Sequence, residues 1–387
     1  MLTMEKVSGY NEQWVDKKLI ELADYYNGMA FKPSDWSDDG VKIIRIEQLN
    51  NPLGDYDHYK GSFPEINAIH DGDLIFSWSA TLKVAIWKWG EGVLNQHLFK
   101  VVPFEDIDKH FLYFLLDYNM PKLGESSHGS TMKHIKRKEL ETYSVSIPDS
   151  LPAQRRIAAI LSAADKVIEQ TRQLISKYKS IKQGMMEDLL KPKEGWKKVK
   201  LGEYAFIVRG GSPRPIDSYI TTDENGINWI KIGDIDINGK YVEKTSEKII
   251  PEGKMFSREV HKGDFILSNS MSFGRPYILK IDGCIHDGWL AIQNYEQTFD
   301  TNFLFYVLSS DIVKKQYLSM ASGSTVLNLN KEKVAQIDIS VPNIPEQRRI
   351  AKILSGIDRK IEAEEKVLEK YEKMKKGLME RLLKKIN

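Results

Sequence analysis

The chain has 387 residues, 41% hydrophobic and 28% charged, so two or three domains with sizeable cores are expected. Its single cysteine, Cys284, excludes an intramolecular disulfide and a cysteine-cluster metal site. No apolar run reaches the roughly 20 residues that span a bilayer, and residues 1–10 lack the pattern of a signal peptide, so a cytoplasmic protein is expected.

The formal charge of +2 is unevenly spread. Residues 1–153 carry 16 Lys/Arg against 23 Asp/Glu, and residues 194–346 carry 18 against 20. Residues 154–193 hold 9 against 4, and residues 347–387 hold 13 against 7. Basicity therefore sits in two short stretches, while the longer parts are mildly acidic. Any nucleic-acid contact by the acidic parts must use local basic patches instead of a broad positive field.

In chain order, Trp14-x-x-Lys17-x-Leu19 opens a region of short β-type runs between Gly, Asp and Asn turns. Strands are predicted over residues 41–46, 74–78 and 84–89, with a helix over 111–118. The pattern then repeats. Trp196-x-Lys198-x-x-Leu201 matches the opening, Gly263-Asp264-Phe265-Ile266 matches Gly72-Asp73-Leu74-Ile75, Gly323-Ser324-Thr325 matches Gly129-Ser130-Thr131, and Val341-Pro342 matches Ile147-Pro148. Strands are predicted over 227–232, 265–268 and 277–281, and a helix over 303–309. Four matches in one order imply duplication of a whole mixed α+β module.

Each module is followed by one heptapeptide, Pro-Ala-Gln-Arg-Arg-Ile-Ala from Pro152 and Pro-Glu-Gln-Arg-Arg-Ile-Ala from Pro345. Proline suits the entry to a helix. Apolar residues then recur at alternating steps of four and three: Ile157, Leu161, Ala164, Ile168, then Ile175, Tyr178, Met185 and Leu189 in one copy, Ile350, Leu354, Ile357, Ile361, then Leu368, Tyr371, Leu378 and Leu382 in the other. That spacing is a coiled-coil seam, interrupted in both copies by polar residues, Thr171 and Lys182, then Glu364 and Lys375. The expected architecture is two modules, 1–151 and 194–344, and two helices, 152–193 and 345–387, packed antiparallel as an internal pseudo-twofold repeat. One module would then lie near each end of a rigid spacer.

The duplicated Gln-Arg-Arg-Ile-Ala helix starts, the paired Gly-Asp-[Leu/Phe]-Ile segments and the paired Gly-Ser-Thr elements resemble the specificity (S) subunit of Type I restriction–modification systems. The resemblance covers essentially the whole chain. It implies a non-catalytic subunit with two target-recognition domains, each reading half of a bipartite site in double-stranded DNA. The helices would set the gap and dock two methyltransferase (M) subunits, with restriction (R) subunits joining the larger complex. S-adenosylmethionine, ATP and Mg2+ would belong to those partners, and this chain would hold no cofactor. The chain lacks a Gly-rich phosphate loop ending in Gly-Lys-Ser/Thr and an Asp/Asn-Pro-Pro-aromatic tetrapeptide. A coiled-coil adaptor with two protein-binding heads is the alternative, favoured by the acidic modules.

Groove reading needs Arg, Lys, Asn, Ser or Thr at base edges, with cations and hydroxyls at phosphates. The polar loops after two strands supply Ser77, Ser79 and Lys83, then Ser268, Asn269, Ser270 and Arg275. The Gly-Ser-Thr elements add Ser130, Thr131 and Lys133, then Ser324 and Thr325, with helix capping as the bland reading. Arg209 and Arg214 flank a Gly-Gly-Ser-Pro loop, and Arg45 and Lys231 sit at comparable places within or beside β-type runs, where either could point at DNA or support the fold. His97 and His286 occupy similar places and read as structural histidines. Arg155, Arg156, Arg348 and Arg349 recur at the helix starts, which points to a shared architectural role such as pairing carboxylates of the adjacent module or of an M subunit.

Overall fold

The structure, a computed structural model, describes residues 12–125, 134–135, 137–236, 239–269, 274–321 and 329–384. The chain divides into two compact units, residues 1–172 with 366–387, and residues 173–365. Each unit contains one α+β module together with part of each long helix.

In the first unit, β1 (Trp14–Lys18) pairs with β10 (Ser144–Pro148) at the helix side of the module. One four-stranded sheet contains β2 (Ala23–Asn27), β6 (Leu74–Ser77), β7 (Lys83–Ile86) and β9 (Leu98–Pro103), in the order β2-β9-β6-β7. A second contains β3 (Val41–Ile44), β4 (His58–Tyr59), β5 (Ala68–Ile69) and β8 (Gly92–Leu94), in the order β4-β3-β8-β5. Helices α1 (Ile46–Asn50), α2 (Lys109–Glu125) and α3 (Arg137–Thr142) complete the module before α4 (Leu151–Leu190).

The second module repeats this plan and adds one edge strand to each sheet. The short pair is β11 (Lys197–Lys200) with β22 (Asp338–Val341). The first large sheet orders β12 (Phe206–Arg209), β21 (Trp289–Gln293), β18 (Phe265–Ser268), β19 (Pro276–Leu279) and the added β15 (Tyr241–Val242). The other orders the added β13 (Ile220–Thr221), then β16 (Glu247–Ile249), β14 (Ile227–Ile230), β20 (Gly283–Ile285) and β17 (Arg258–Val260). Helices α5 (Thr301–Ser309), α6 (Asp311–Ala321) and α7 (Lys331–Ala335) precede α8 (Ile344–Leu382).

The repeated Gly-Asp segments have a local cause. Gly72 and Gly263 adopt φ of 94° and 97°, a conformation that favours glycine. Asp73 and Asp264 then accept the backbone N–H of His70 and His261 at 2.9 and 2.8 Å, closing the turn into β6 and β18. All four residues of each strand are buried, and the period of two sorts them between cores. Leu74 and Phe76 face the core shared with the helices, and Ile75 faces the smaller core with Trp87. Phe265 and Leu267 divide from Ile266 in the same way.

The expected strands over 41–46 and 227–232 stop two residues early. Gln48 accepts the Arg45 backbone N–H at 3.1 Å, and Asp234 accepts that of Lys231 at 3.0 Å. These side-chain caps turn the backbone into a short helical element despite the β-favouring Ile residues that follow. The expected strand over 84–89 instead spans Lys83–Ile86, and the expected helices over 111–118 and 303–309 belong to the longer α2 and to α5.

Helix α4 has 40 residues and α8 has 39, each about 60 Å long at 1.5 Å per residue. Within the first unit Arg172 of α4 meets Glu372 of α8 and Asp165 meets Lys375. Within the second Lys179 meets Glu365 and Lys182 meets Asp358. Rising numbers on one helix meet falling numbers on the other, so the pairing is antiparallel. Ile168, Ile175 and Ile361 are buried in the seam, while Tyr178, Leu368 and Tyr371 are half-buried. The first seam positions do more than join helices. Ile157 and Leu161 enter the first module's core beside Met379 and Leu383, and Ile350 and Leu354 enter the second's beside Met186 and Leu190.

The glutamine of the repeated heptapeptide fastens each module to its own helix. Gln154 and Gln347 are each 1% exposed. Gln154 accepts the backbone N–H of Asp108 at 2.8 Å and donates to the carbonyls of Pro148 and Asp106 at 3.0 and 3.2 Å. Gln347 accepts from Asp300 at 2.8 Å and donates to Pro342 and Thr298 at 2.9 and 3.0 Å. Asp108 and Asp300 meanwhile accept the first backbone N–H groups of α2 and α5, as N-caps do.

Candidate nucleic-acid interface

Arg45 and Lys231 occupy one position of the repeat, each at the exit of a central strand. Ile43 and Trp229, two residues earlier, lie opposite Asp57 and Glu247 on the neighbouring chain segment. These carboxylates hold the two cations: Arg45 pairs with Asp57, and Lys231 Nζ lies 2.5 Å from Glu247 Oε1. The Arg45 guanidinium also sits 4.9 Å from the ring of Trp36, which is 45% exposed. Its Nη2 is buried and has no hydrogen-bond partner among the described residues.

In the second module Asp287 gathers several of the expected contact residues. Its backbone carbonyl accepts Arg209 Nε at 3.2 Å and Asn269 Nδ2 at 3.0 Å. Its carboxylate accepts the Ser212 hydroxyl at 3.0 Å and lies 3.6 Å from Arg214 Nη2. Burial pushes the Asp287 carboxyl up, but the Ser212 hydroxyl and nearby His286 outweigh it and hold it below the usual carboxylate range. Arg214 is 84% exposed and leans over a cleft of about 750 Å³, whose lining includes Ile216, Trp229, Lys231, Glu247 and His286. Burial lowers the His286 imidazole below the usual histidine range, against the opposing pull of Asp287. His286 Nε2 lies 3.2 Å from the backbone nitrogen of Ile232, and Nδ1 lies 2.8 Å from that of Gly288.

The other expected residues are placed differently. Ser77 and Ser268 are fully buried at matching register positions, opposite Leu98 and Trp289. The Ser77 hydroxyl donates to the Thr81 carbonyl at 2.7 Å and closes its own loop. Ser79 is 5% exposed and bridges to His134. Lys83 Nζ is 2.5 Å from the Leu49 carbonyl, and Arg275 lies 5.7 Å from the Tyr277 ring. Ser130, Thr131, Lys133, Ser270, Ser324 and Thr325 lie outside the described residues.

At the helix starts Arg155 lies 3.8 Å from Asp108 and Arg348 4.0 Å from Asp300. Arg156 lies 3.3 Å from Glu12, while Arg349 makes two bonds of 2.7 Å to Glu346. The proposed match of His97 with His286 is shifted by the register. Ile44 O accepts from Asn95 N and Ile230 O from His286 N, so Asn95 is the counterpart of His286. Sequence reading included Ser212 only as part of the Arg209–Arg214 loop and missed Asp287, Glu247, Asp57 and Trp36. A usable signal was present for the flanking loop: Gly28-Met29-Ala30-Phe31-Lys32-Pro33 runs parallel to Gly210-Gly211-Ser212-Pro213-Arg214-Pro215, and both loops precede a short 3-10 turn.

Comparison with known proteins identifies the family of the chain. Residues 11–179 and 193–373 fit the family model of the Type I restriction modification DNA specificity domain. The chain is 26% identical to the type I restriction enzyme MjaVIII specificity subunit of Methanocaldococcus jannaschii, over 81% of this chain and 79% of that protein. It is 24% identical to the EcoBI specificity subunit of Escherichia coli, over 88% and 78%. The crystal structure of a Type I restriction–modification S subunit from M. genitalium covers 100% of this chain and 99% of its own, with a TM-score of 0.60 and 15% identity, a likeness of fold. Two copies of the specificity domain, one for each α+β module, fit recognition of a bipartite target, and the chain belongs to the Type I restriction–modification DNA-specificity family.

Proposed function

We propose that each module reads one half of a bipartite target in double-stranded DNA, the first around Arg45 and Trp36 and the second around the Asp287 cleft. The matched placement of Arg45 and Lys231 carries this reading. Each is a cation fixed by a carboxylate at the exit of a central strand, and the Arg45 guanidinium lies over the partly exposed Trp36 ring. Guanidinium groups held in this way suit bidentate contact with guanine or phosphate. Arg209, Arg214 and Asn269 extend the second surface, with Asp287 setting their positions.

Membership of the specificity family supports a non-catalytic role, with methyl transfer and cleavage supplied by partner subunits that bring S-adenosylmethionine, ATP and Mg2+. The chain would hold no cofactor and work in the cytoplasm; no helix among the described residues is long and apolar enough to cross a membrane. Helices α4 and α8 would hold the two half-sites at a fixed gap and dock two methyltransferase subunits, with restriction subunits joining the assembly. Arg155, Arg156, Arg348 and Arg349 are more than half exposed and could add to that docking surface. The experiment is exchange of residues 194–344 for the corresponding module of a relative, followed by methylation mapping of host DNA. One half of the motif should change while the other half and the gap stay fixed. Change in both halves, or in neither, would refute the reading.

A further inference from the structure

The two long helices share a seam, yet at one place the duplicated sequences have taken opposite charges. In the first unit Arg172 of α4 lies 2.6 Å from Glu372 of α8. In the second Lys179 of α4 lies 2.8 Å from Glu365 of α8. With Gln154 aligned to Gln347, Arg172 falls on Glu365 and Lys179 falls on Glu372. The two bridges are therefore one contact of the repeat and its mate, with both cations on α4 and both anions on α8.

The lysine–aspartate bridges and the apolar contacts at the helix ends do not distinguish the helices. Lys182 with Asp358 and Lys375 with Asp165, each at 2.6 Å, are also mates under the same alignment, and they put a lysine and an aspartate on both helices. Ile157 matches Ile350, Leu161 matches Leu354, and Met186 and Leu190 match Met379 and Leu383. Two copies of the chain pairing α4 with α4 and α8 with α8 would keep all of these. Such pairing would face Arg172 with Lys179 of the second copy, and Glu365 with Glu372.

We propose that these four residues make α4 select the α8 of its own chain over the α4 of a second copy, while the lysine–aspartate pairs set register without choosing the partner. Like charges at facing positions are a recognised device for excluding alternative coiled-coil pairings. All four side chains are about half exposed, so the preference is electrostatic and weakens with salt.

The test exchanges the charges of one pair in the full chain, Arg172→Glu with Glu372→Lys. Opposite charges still meet at both places within the chain, so stability is kept. In like-helix pairing, however, opposite charges now face each other. Native mass spectrometry after refolding at low salt should show about tenfold more dimer than wild type, with the excess lost at high salt. The melting temperature should stay within about 2 °C. Dimers formed by exchanging α8 between copies gain nothing from this variant, so an increase reports like-helix pairing. The reciprocal exchange, Lys179→Glu with Glu365→Lys, should behave in the same way. Wild-type levels of dimer from stably folded variants would overturn the proposal, as would loss of stability in both exchanges.

Discussion

Gln154 accepts the backbone N–H of Asp108 at 2.8 Å while Asp108 caps α2, so one buried amide joins the end of the first module's sheet layer to the start of the long helix. Gln347 and Asp300 repeat the arrangement in the second unit. Replacing either glutamine by alanine leaves one backbone donor and two carbonyls without their partner. Gln154→Ala and Gln347→Ala should each cost about 2–3 kcal/mol in urea denaturation of the full chain. A loss below about 0.5 kcal/mol would show that water or a shifted loop replaces the amide.

The half-buried seam pairs should show coupling. Removing only one partner, by Lys375→Met or Asp165→Asn, leaves a charge with reduced solvation. The double variant should then be more stable than the sum of the single losses implies, by about 1 kcal/mol. The same cycle on Lys182 and Asp358 should give a similar value, because the two bridges are mates in the repeat and share a length of 2.6 Å. Additive losses would argue that the lysines stabilise the seam through their alkyl stems alone.

If the Asp287 carboxylate positions Ser212 and Arg214, Asp287→Ala, which leaves the backbone carbonyl that holds Arg209 and Asn269, should relax discrimination in one half-site only. Binding of the assembled complex to DNA altered in the second module's half-site should change by about tenfold relative to wild type. Binding to changes in the first half-site should be unaffected. Equal effects on both half-sites would point to a general loss of folding or charge instead.

Arg45→Ala and Lys231→Ala offer the reciprocal comparison. Each should weaken binding to its own half-site by about 1–3 kcal/mol if the side chain contacts a base. A phosphate contact would instead lower affinity for all sequences and reduce the salt slope by about one.

Lys240 provides a pH test. Burial against Phe305 and Tyr306 lowers its ammonium to about 8, although Asp358 opposes the shift. A base whose folded value is depressed disfavours the native state while protonated. Its neutralisation therefore adds stability as pH rises through about 8 towards the ordinary lysine value. Wild type should gain up to about 1.4 kcal/mol per pH unit relative to Lys240→Met across that window. A pH-independent difference between the two proteins would show that Lys240 keeps its ordinary affinity for protons.

The sequence by itself determined the duplication, the α+β character of the modules and the two heptad seams. Those features rest on local spacing: a period of two within Leu74–Ser77, steps of four and three from Ile157, and a glycine at the positive-φ turns before β6 and β18. It also marked Arg45 and Lys231 as equivalent, because both follow matching strands. Only the tertiary structure decided which polar groups are already engaged. Ser77 and Ser268 look available in the sequence but are fully buried, whereas Asp287, which looks unremarkable, gathers Arg209, Ser212, Arg214 and Asn269. Such contacts join residues up to 78 positions apart, and they depend on strand register that no local pattern specifies. The charge split between α4 and α8 shows the same division. Each charge is plain in the sequence, but its partner is fixed only when the helices pair antiparallel.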